Sequence, residues 1–275
     1  MAVLPRRARR RFDVKFWQVQ PDRRAEFMDD PSLPVGEHLA ALDALATINA
    51  VSGTARQLAF AVMKIVGPPA LTARPLRIVD VACGGGDLTV ALALRLSRRL
   101  GLPPTAGSSA PRPLEVLGID FSERAIHRAR ERAVGPAACL VDFAVRDVLT
   151  EGCPPCDIAV SSLFLHHLDD GSADQVLRSM AEAARLGGAV SDLIRSRTGL
   201  ILAILGTTFL ARSRVARVDG PLSVRAARTP AEYRILAARS GLPHATVRRT
   251  WPERVIMAWE NAEPVTELIP GVACA

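Results

Sequence analysis

No apolar run in this 275-residue chain reaches the roughly 20 residues needed to cross a bilayer; the longest, GLILAILGTTFLA, covers 199–211. A transmembrane helix is therefore not expected, and membrane contact could only be peripheral. The arginine pairs near the start are followed by FDVKFWQVQPDRRAEF and not by an apolar stretch, which argues against an export signal. Cysteine is sparse: Cys83, Cys139, Cys153, Cys156 and Cys274 are an odd, scattered set. That is unlike the dense, even framework of a small secreted scaffold and points to a reducing cytoplasm. CPPC at 153–156 has no second Cys/His pair at ligand spacing and precedes a strand where redox chemistry needs a helix start, so neither zinc nor thioredoxin-like chemistry is expected. No metal site and no internal repeat are read from the chain.

What is present begins with charge. Residues 1–24 hold eight Lys or Arg against two Asp, a net of +6 out of +7 for the whole chain, so the other 251 residues stand near neutrality. A basic arm on a neutral body reads first as a solvated tail, and nucleic acid is not the expected partner. With 49% apolar residues the remainder can bury a full core. The division expected is a flexible arm over 1–24, a helical cap over 25–70, and an α/β domain over 71–275 with an apolar insert at about 195–228.

Between Val35 and Val66 apolar residues recur at three- and four-residue steps, which predicts one or two amphipathic helices ended by GPP at 67–69. From Leu76 short β-branched runs take over: LRIVDVA (76–82), LEVLGID (114–120), LVDFAV (140–145), DIAVSSLF (157–164) and GAVSDLI (188–194). Helical stretches over Leu88–Leu100, Glu123–Ala133 and Ala173–Leu186 separate them, with a shorter link between the third and fourth. This rhythm predicts a doubly wound, Rossmann-like parallel sheet. LPPTAGSSAPRP (102–113) reads as a surface loop. TPAE at 229–232 opens a further helix with a capping box, ending near Gly241. HATVRRTWPERVIMAWE then predicts a closing hairpin around Pro252, which makes seven strands in a mixed sheet.

In such a sheet ligands bind beyond the carboxyl ends of the strands. VDVACGGGDL (79–88) sits at the first of these ends, where glycines let backbone N–H groups approach a ligand. Asp120 ends the second strand, where a carboxylate can accept from ribose hydroxyls, and Asp147 follows the third, placed for an adenine edge. The dinucleotide fingerprint G-x-G-x-x-G would need glycine at 89, where Thr89 stands, and no G-K-[ST] follows for a P-loop.

This series resembles the class I S-adenosylmethionine-dependent methyltransferases, over about Leu76 to Ile194. Asp80, Gly84 and Gly86 match the first motif, with Ala82 replacing its usual first glycine. DVACGGGDLT looks most like the ubiquinone/menaquinone-biosynthesis branch, specifically its C-methylating members. GIDFSERAI resembles the second motif, RDVL the adenine motif and CDIAVSSLFLHHLDD the fourth, although the quinone enzymes differ from this chain at FLHHLDD. INAVS (48–52) is similar to an Asn segment ahead of the core in those enzymes. The resemblance implies S-adenosyl-L-methionine as cofactor, held by Asp80, Ala82, Cys83, Gly84, Gly86, Asp120, Phe121, Asp147, Val148 and Ser162.

It also implies methyl transfer to O or C of a small hydrophobic or aromatic acceptor, phenolic, quinol or polyketide-like. A phenol, with a reference pKa of roughly 10, is helped by a general base. His167, then His166, just past the fourth strand, are the candidates, with Asp192 and Arg195 at the end of the fifth as acceptor contacts. The apolar segment 199–211 reads as a pocket wall or lid, or as a buried or interface helix. Three alternatives stay open on the sequence alone. They are an NAD(P)-binding oxidoreductase, a methyltransferase acting on RNA or protein through the basic arm, and a non-catalytic cofactor binder. The Pro-Cys dipeptide of cytosine-5 methyltransferases follows the fourth strand and here precedes it.

Overall fold

The structure, a computed structural model, describes residues 19–30, 32–67, 75–101, 113–211 and 213–261. Most of the arm (1–18), most of the expected loop at 102–113 and the end of the GPP stop lie outside the described residues.

Seven strands form one sheet: β1 (Leu76–Val81), β2 (Leu114–Asp120), β3 (Val141–Val145), β4 (Cys156–Ser162), β5 (Ala184–Leu193), β6 (Thr246–Thr250) and β7 (Arg254–Glu260). Their order is β3-β2-β1-β4-β5-β7-β6. The first five pair in parallel, and β7 runs antiparallel between β5 and β6. This is the expected doubly wound mixed sheet with its closing hairpin. The near-continuous apolar runs of β1 and β4 follow from burial on both faces.

The helices are α1 (Val35–Ser52), α2 (Thr54–Val66), α3 (Asp87–Arg99), α4 (Glu123–Arg132), the single turn α5 (Val148–Glu151), α6 (Asp170–Ala183), α7 (Arg197–Leu210), α8 (Arg214–Ala226) and α9 (Pro230–Arg239). The long N-terminal pattern breaks into α1 and α2 at Gly53, which takes a left-handed φ of 64°. The capping box of α9 forms between Thr229 and Glu232 as its sequence predicts. One layer of core joins Val79, Val81, Val190 and Met257 to α6 and α9. The other joins Ile78, Val160, Ala189 and Ile256 to α2 and α3.

One expectation shifts. The helix expected over Ala173–Leu186 starts three residues earlier, because Asp169 accepts the Ser172 N–H as its cap, and it gives way to β5 at Ala184. In the insert, residues 214–226 form α8, which continues through Pro221. Ser213 caps that helix through the Ala216 N–H, and α7 packs tightly on it, since a Cβ on Gly220 would stand 2.5 Å from Thr207 Cγ2. Among the described residues no helix is long and apolar enough to cross a membrane.

Candidate functional site

The turn leaving β1 holds Ala82, Gly84 and Gly86 at positive φ (56°, 53° and 73°). Gly86 has no room for a side chain: a Cβ would lie 2.7 Å from Ala129 Cβ and 2.8 Å from Phe143 Cζ. Gly84 faces the opposite situation, with only Leu42 Cδ2 at 3.9 Å. The backbone is thus pinned where α3 begins and open where a ligand would approach. The Gly84 N–H donates to Asp120 Oδ2 at 2.9 Å, and the Ser122 N–H donates to Asp120 Oδ1 at 2.9 Å. Ser122 itself caps α4 by accepting from the Ala125 N–H. Burial raises the Asp120 carboxyl above its usual range.

Asp80 lies beneath the turn, 1% exposed, and accepts a 2.6 Å hydrogen bond from the Thr89 hydroxyl. Thr89, the residue that breaks the dinucleotide pattern, is therefore the partner of the first-motif carboxylate. Asp80 Oδ1 has no partner, and burial pushes the group up to about 7. Burial, with the Asp80 and Asp120 carboxylates, also raises the Cys83 thiol. Asp147 caps α5 by accepting the Leu149 N–H at 2.9 Å, and Val148 is buried behind it. Phe121 is 66% exposed beside Asp120, so its ring is open for another ring to pack on. Ser162 Oγ, at the end of β4, is buried without a partner. In CPPC, the Cys153 thiol and burial raise Cys156, the reverse of the depressed thiol a redox pair needs.

The histidines form a second centre. His166 is 3% exposed, with Nδ1 at 2.6 Å from Asp192 Oδ1 and Nε2 at 3.5 Å from Glu26 Oε1. Burial alone would lower its pKa, but Asp192 and Glu26 outweigh it and raise it to about 10. His166 is therefore an imidazolium at neutral pH, without a lone pair to serve as a base. His167 Nδ1 meets Asp29 Oδ2 at 3.0 Å, and its ring lies tilted against that of His166 at 4.3 Å.

Asp192 and Arg195 do not pair. Asp192 is fully buried on His166 and the Leu193 N–H, whereas Arg195 donates to the Ala227 carbonyl and to Glu232. Both are tied into the fold by these contacts. The segment 199–211 is helix α7 with Ile201, Ile204, Leu205, Phe209 and Leu210 exposed.

Several residues here escape sequence reasoning. Glu26 lies at the edge of a charged stretch, yet it is 6% exposed and accepts from the Ser223 hydroxyl. Asp219 of α8 accepts the Phe27 and Met28 N–H groups and so fixes the segment that carries Glu26 and Asp29. Arg228, 1% exposed, donates to the carbonyls of Leu165 and Leu168 and fastens the histidine turn. His38 on α1 is buried with Nδ1 unpartnered; burial lowers it, and the Asp120 charge partly opposes this. Asn49, inside INAVS, links Arg254 to Asp87. Only Asn49 carried a signal in the sequence. An open cleft of about 500 Å³ between Val19–Asp22, Arg197, Leu200 and Arg225 touches none of the strand-end residues.

The unpartnered acceptors Asp80 Oδ1 and Ser162 Oγ, with the open approach over Gly84 and the exposed ring of Phe121, fit a nucleoside-bearing ligand along the ends of β1, β2 and β4. A family model described as "Methyltransferase domain" matches residues 79–190. Ubiquinone biosynthesis O-methyltransferase of Bordetella bronchiseptica is 29% identical over 141 residues, 50% of each chain. The Xylella fastidiosa protein of the same name is 30% identical over 141 residues, 50% of this chain and 49% of that one. The chain spans about half the length of the curated relatives it matches. Human N-acetylserotonin methyltransferase shares the fold at a TM-score of 0.58 and 18% identity, over 82% of this chain and 56% of that one. The plantazolicin methyltransferase BpumL shares it at 0.51 and 14%, over 85% and 87%.

Proposed function

We propose that this chain, whose residues 79–190 match a methyltransferase-domain model, transfers a methyl group from S-adenosylmethionine to an oxygen of a small, largely apolar acceptor of phenolic or quinol type. The observation that carries the reading is the turn over Gly84–Gly86, tied by its Gly84 N–H to the buried Asp120 carboxylate above an unsatisfied Asp80. Asp120 would hold the ribose hydroxyls, Asp147 and Val148 the adenine edge, and Phe121 the base face. The O-methyltransferase names of the curated relatives favour oxygen over carbon. The cap over 25–70 and the insert at 195–228 would enclose the acceptor, since Ser223 and Asp219 of α8 hold the segment that brings Glu26 and Asp29 to the histidines. The reducing cytoplasm remains the proposed compartment.

When bound, S-adenosylmethionine supplies a methyl already activated on a sulfonium. What is left to the protein is orientation and proton removal. Asp29 fixes His167 through Nδ1, which leaves Nε2 to take the proton of an acceptor hydroxyl. His166 stays charged between Asp192 and Glu26 and holds the turn that carries His167. Titration calorimetry tests the reading: S-adenosylhomocysteine should bind with one site per chain and NADH should give no heat. Heat from NADH and none from S-adenosylhomocysteine would replace this reading with the oxidoreductase one.

A further inference from the structure

Arg254 opens β7 at the end of the sheet where β1, β4 and β5 finish, and it is 2% exposed. Its Nη2 donates to Asn49 Oδ1 at 3.1 Å, Nη1 has no partner, and among the described residues it forms no ion pair. A guanidinium this deep costs stability unless something answers its charge. Burial lowers its pKa to about 10, against the more distant pull of Asp192 and Asp87. The other side of Asn49 meets the opposite charge: Nδ2 donates to Asp87 Oδ2 at 3.1 Å. Asp87 begins α3 directly after the glycine turn, burial raises its carboxyl, and its nearest cation, Arg132, stands 3.8 Å away. One carboxamide thus spaces a buried cation from a half-buried anion.

Strand register puts further unsatisfied groups beside them. Ser162 pairs with Ser191, and Leu193 with Arg254, so these side chains share the sheet face of Asp80, the face covered by α2 and α3. Asp80 Oδ1, Ser162 Oγ and Ser191 Oγ all lack partners. A cation and an anion one carboxamide apart complement an α-amino acid zwitterion, whose carboxylate and ammonium sit on a single carbon.

We propose that Arg254 and Asp87, spaced by Asn49, bind the α-amino-acid end of the cofactor, the carboxylate on Arg254 Nη1 and the ammonium on Asp87. This rests on the reading under Proposed function and assigns β7, a strand outside the matched 79–190 domain, to cofactor recognition. Calorimetry on the full chain decides it with three probes: S-adenosylmethionine, its decarboxylated form, and 5′-methylthioadenosine, which lacks the whole amino acid end. The unaltered protein should bind S-adenosylmethionine about 100-fold more tightly than the decarboxylated compound. In Arg254→Met that advantage should vanish while 5′-methylthioadenosine affinity changes by less than about twofold, and Arg254→Lys should restore part of it.

Equal affinity of the unaltered protein for the carboxylated and decarboxylated compounds would overturn the assignment, and needs no variant to be stable. So would a parallel loss of all three probes in Arg254→Met, which marks a purely structural arginine. If no adenosyl compound binds the unaltered protein, the methyltransferase reading itself falls.

Discussion

Asp80 is held in β1 with one oxygen on the Thr89 hydroxyl and the other on nothing, and it titrates near 7 in place of the usual 3.8. Between those two values the folded chain keeps a proton that the unfolded chain has released. Folding stability therefore falls as pH rises from about 4 to about 7 and levels off above, by up to about 4 kcal/mol. Asp80→Asn should remove this slope, so that the ligand-free variant is more stable than the parent at pH 8 and little different at pH 4; urea midpoints at the two pH values test it. The two histidines have separate roles. His167→Ala should lower kcat by about 100-fold or more. Asp29→Asn should give a smaller loss, since it removes the partner of Nδ1. Unchanged turnover in both variants would rule out His167 as the base.

The elements that carry the site differ in how far they could be read ahead of the structure. β1, the glycine turn and α3 are local: alternation of strand and helix patterns, with glycine at the junction, fixed their place from residues a few positions apart. The strand-end carboxylates Asp120 and Asp147 were legible for the same reason. α8 was not, because Gly220 and Pro221 are turn residues in isolation, while in the fold they lie inside the helix with Gly220 against Thr207 of α7. Glu26 and Asp29 were hidden more deeply, since their partners Ser223 and the histidines lie more than 130 residues away, and a charged stretch near a basic arm looks solvated. Asp219 is the hinge of this arrangement, with both carboxylate oxygens on backbone N–H groups of the 26–29 segment. Asp219→Ala should leave those donors without acceptors, cost about 1–3 kcal/mol, and speed tryptic cleavage at Arg23 and Arg24 several-fold. An unaltered cleavage rate would show that the segment is held by other contacts. The same segment should loosen at alkaline pH. His166 has its pKa raised from 6.5 to about 10, so its contribution is complete below 6.5 and is lost as pH rises through 10.

Across the whole molecule the two faces of the sheet are finished to different degrees. The face under α6 and α9 closes over an apolar core that includes the fully buried Leu165, Leu177 and Tyr233. The opposite face, near the carboxyl ends, leaves Asp80 Oδ1, Ser162 Oγ, Ser191 Oγ and Arg254 Nη1 buried without partners beneath α2 and α3, with Thr54 Oγ1 at the start of α2, against Trp259 Nε1 on the first face. Each unsatisfied group weakens the packing of what covers it, so the helices over this face are the ones expected to open first. A ligand that satisfies those groups binds the closed state and not the open one, and the stabilisation appears locally as well as globally. S-adenosylhomocysteine at 100 times its dissociation constant should raise the melting temperature by about 5 °C or more. In hydrogen exchange it should slow the amides of residues 54–66 and 87–99 by at least about tenfold while leaving those of α6 and α9 nearly unchanged. Uniform slowing across the chain would mean that the molecule opens as one unit. Slowing confined to α6 and α9 would place the ligand on the wrong face of the sheet, and the unsatisfied groups of the other face could then not be the ones it binds.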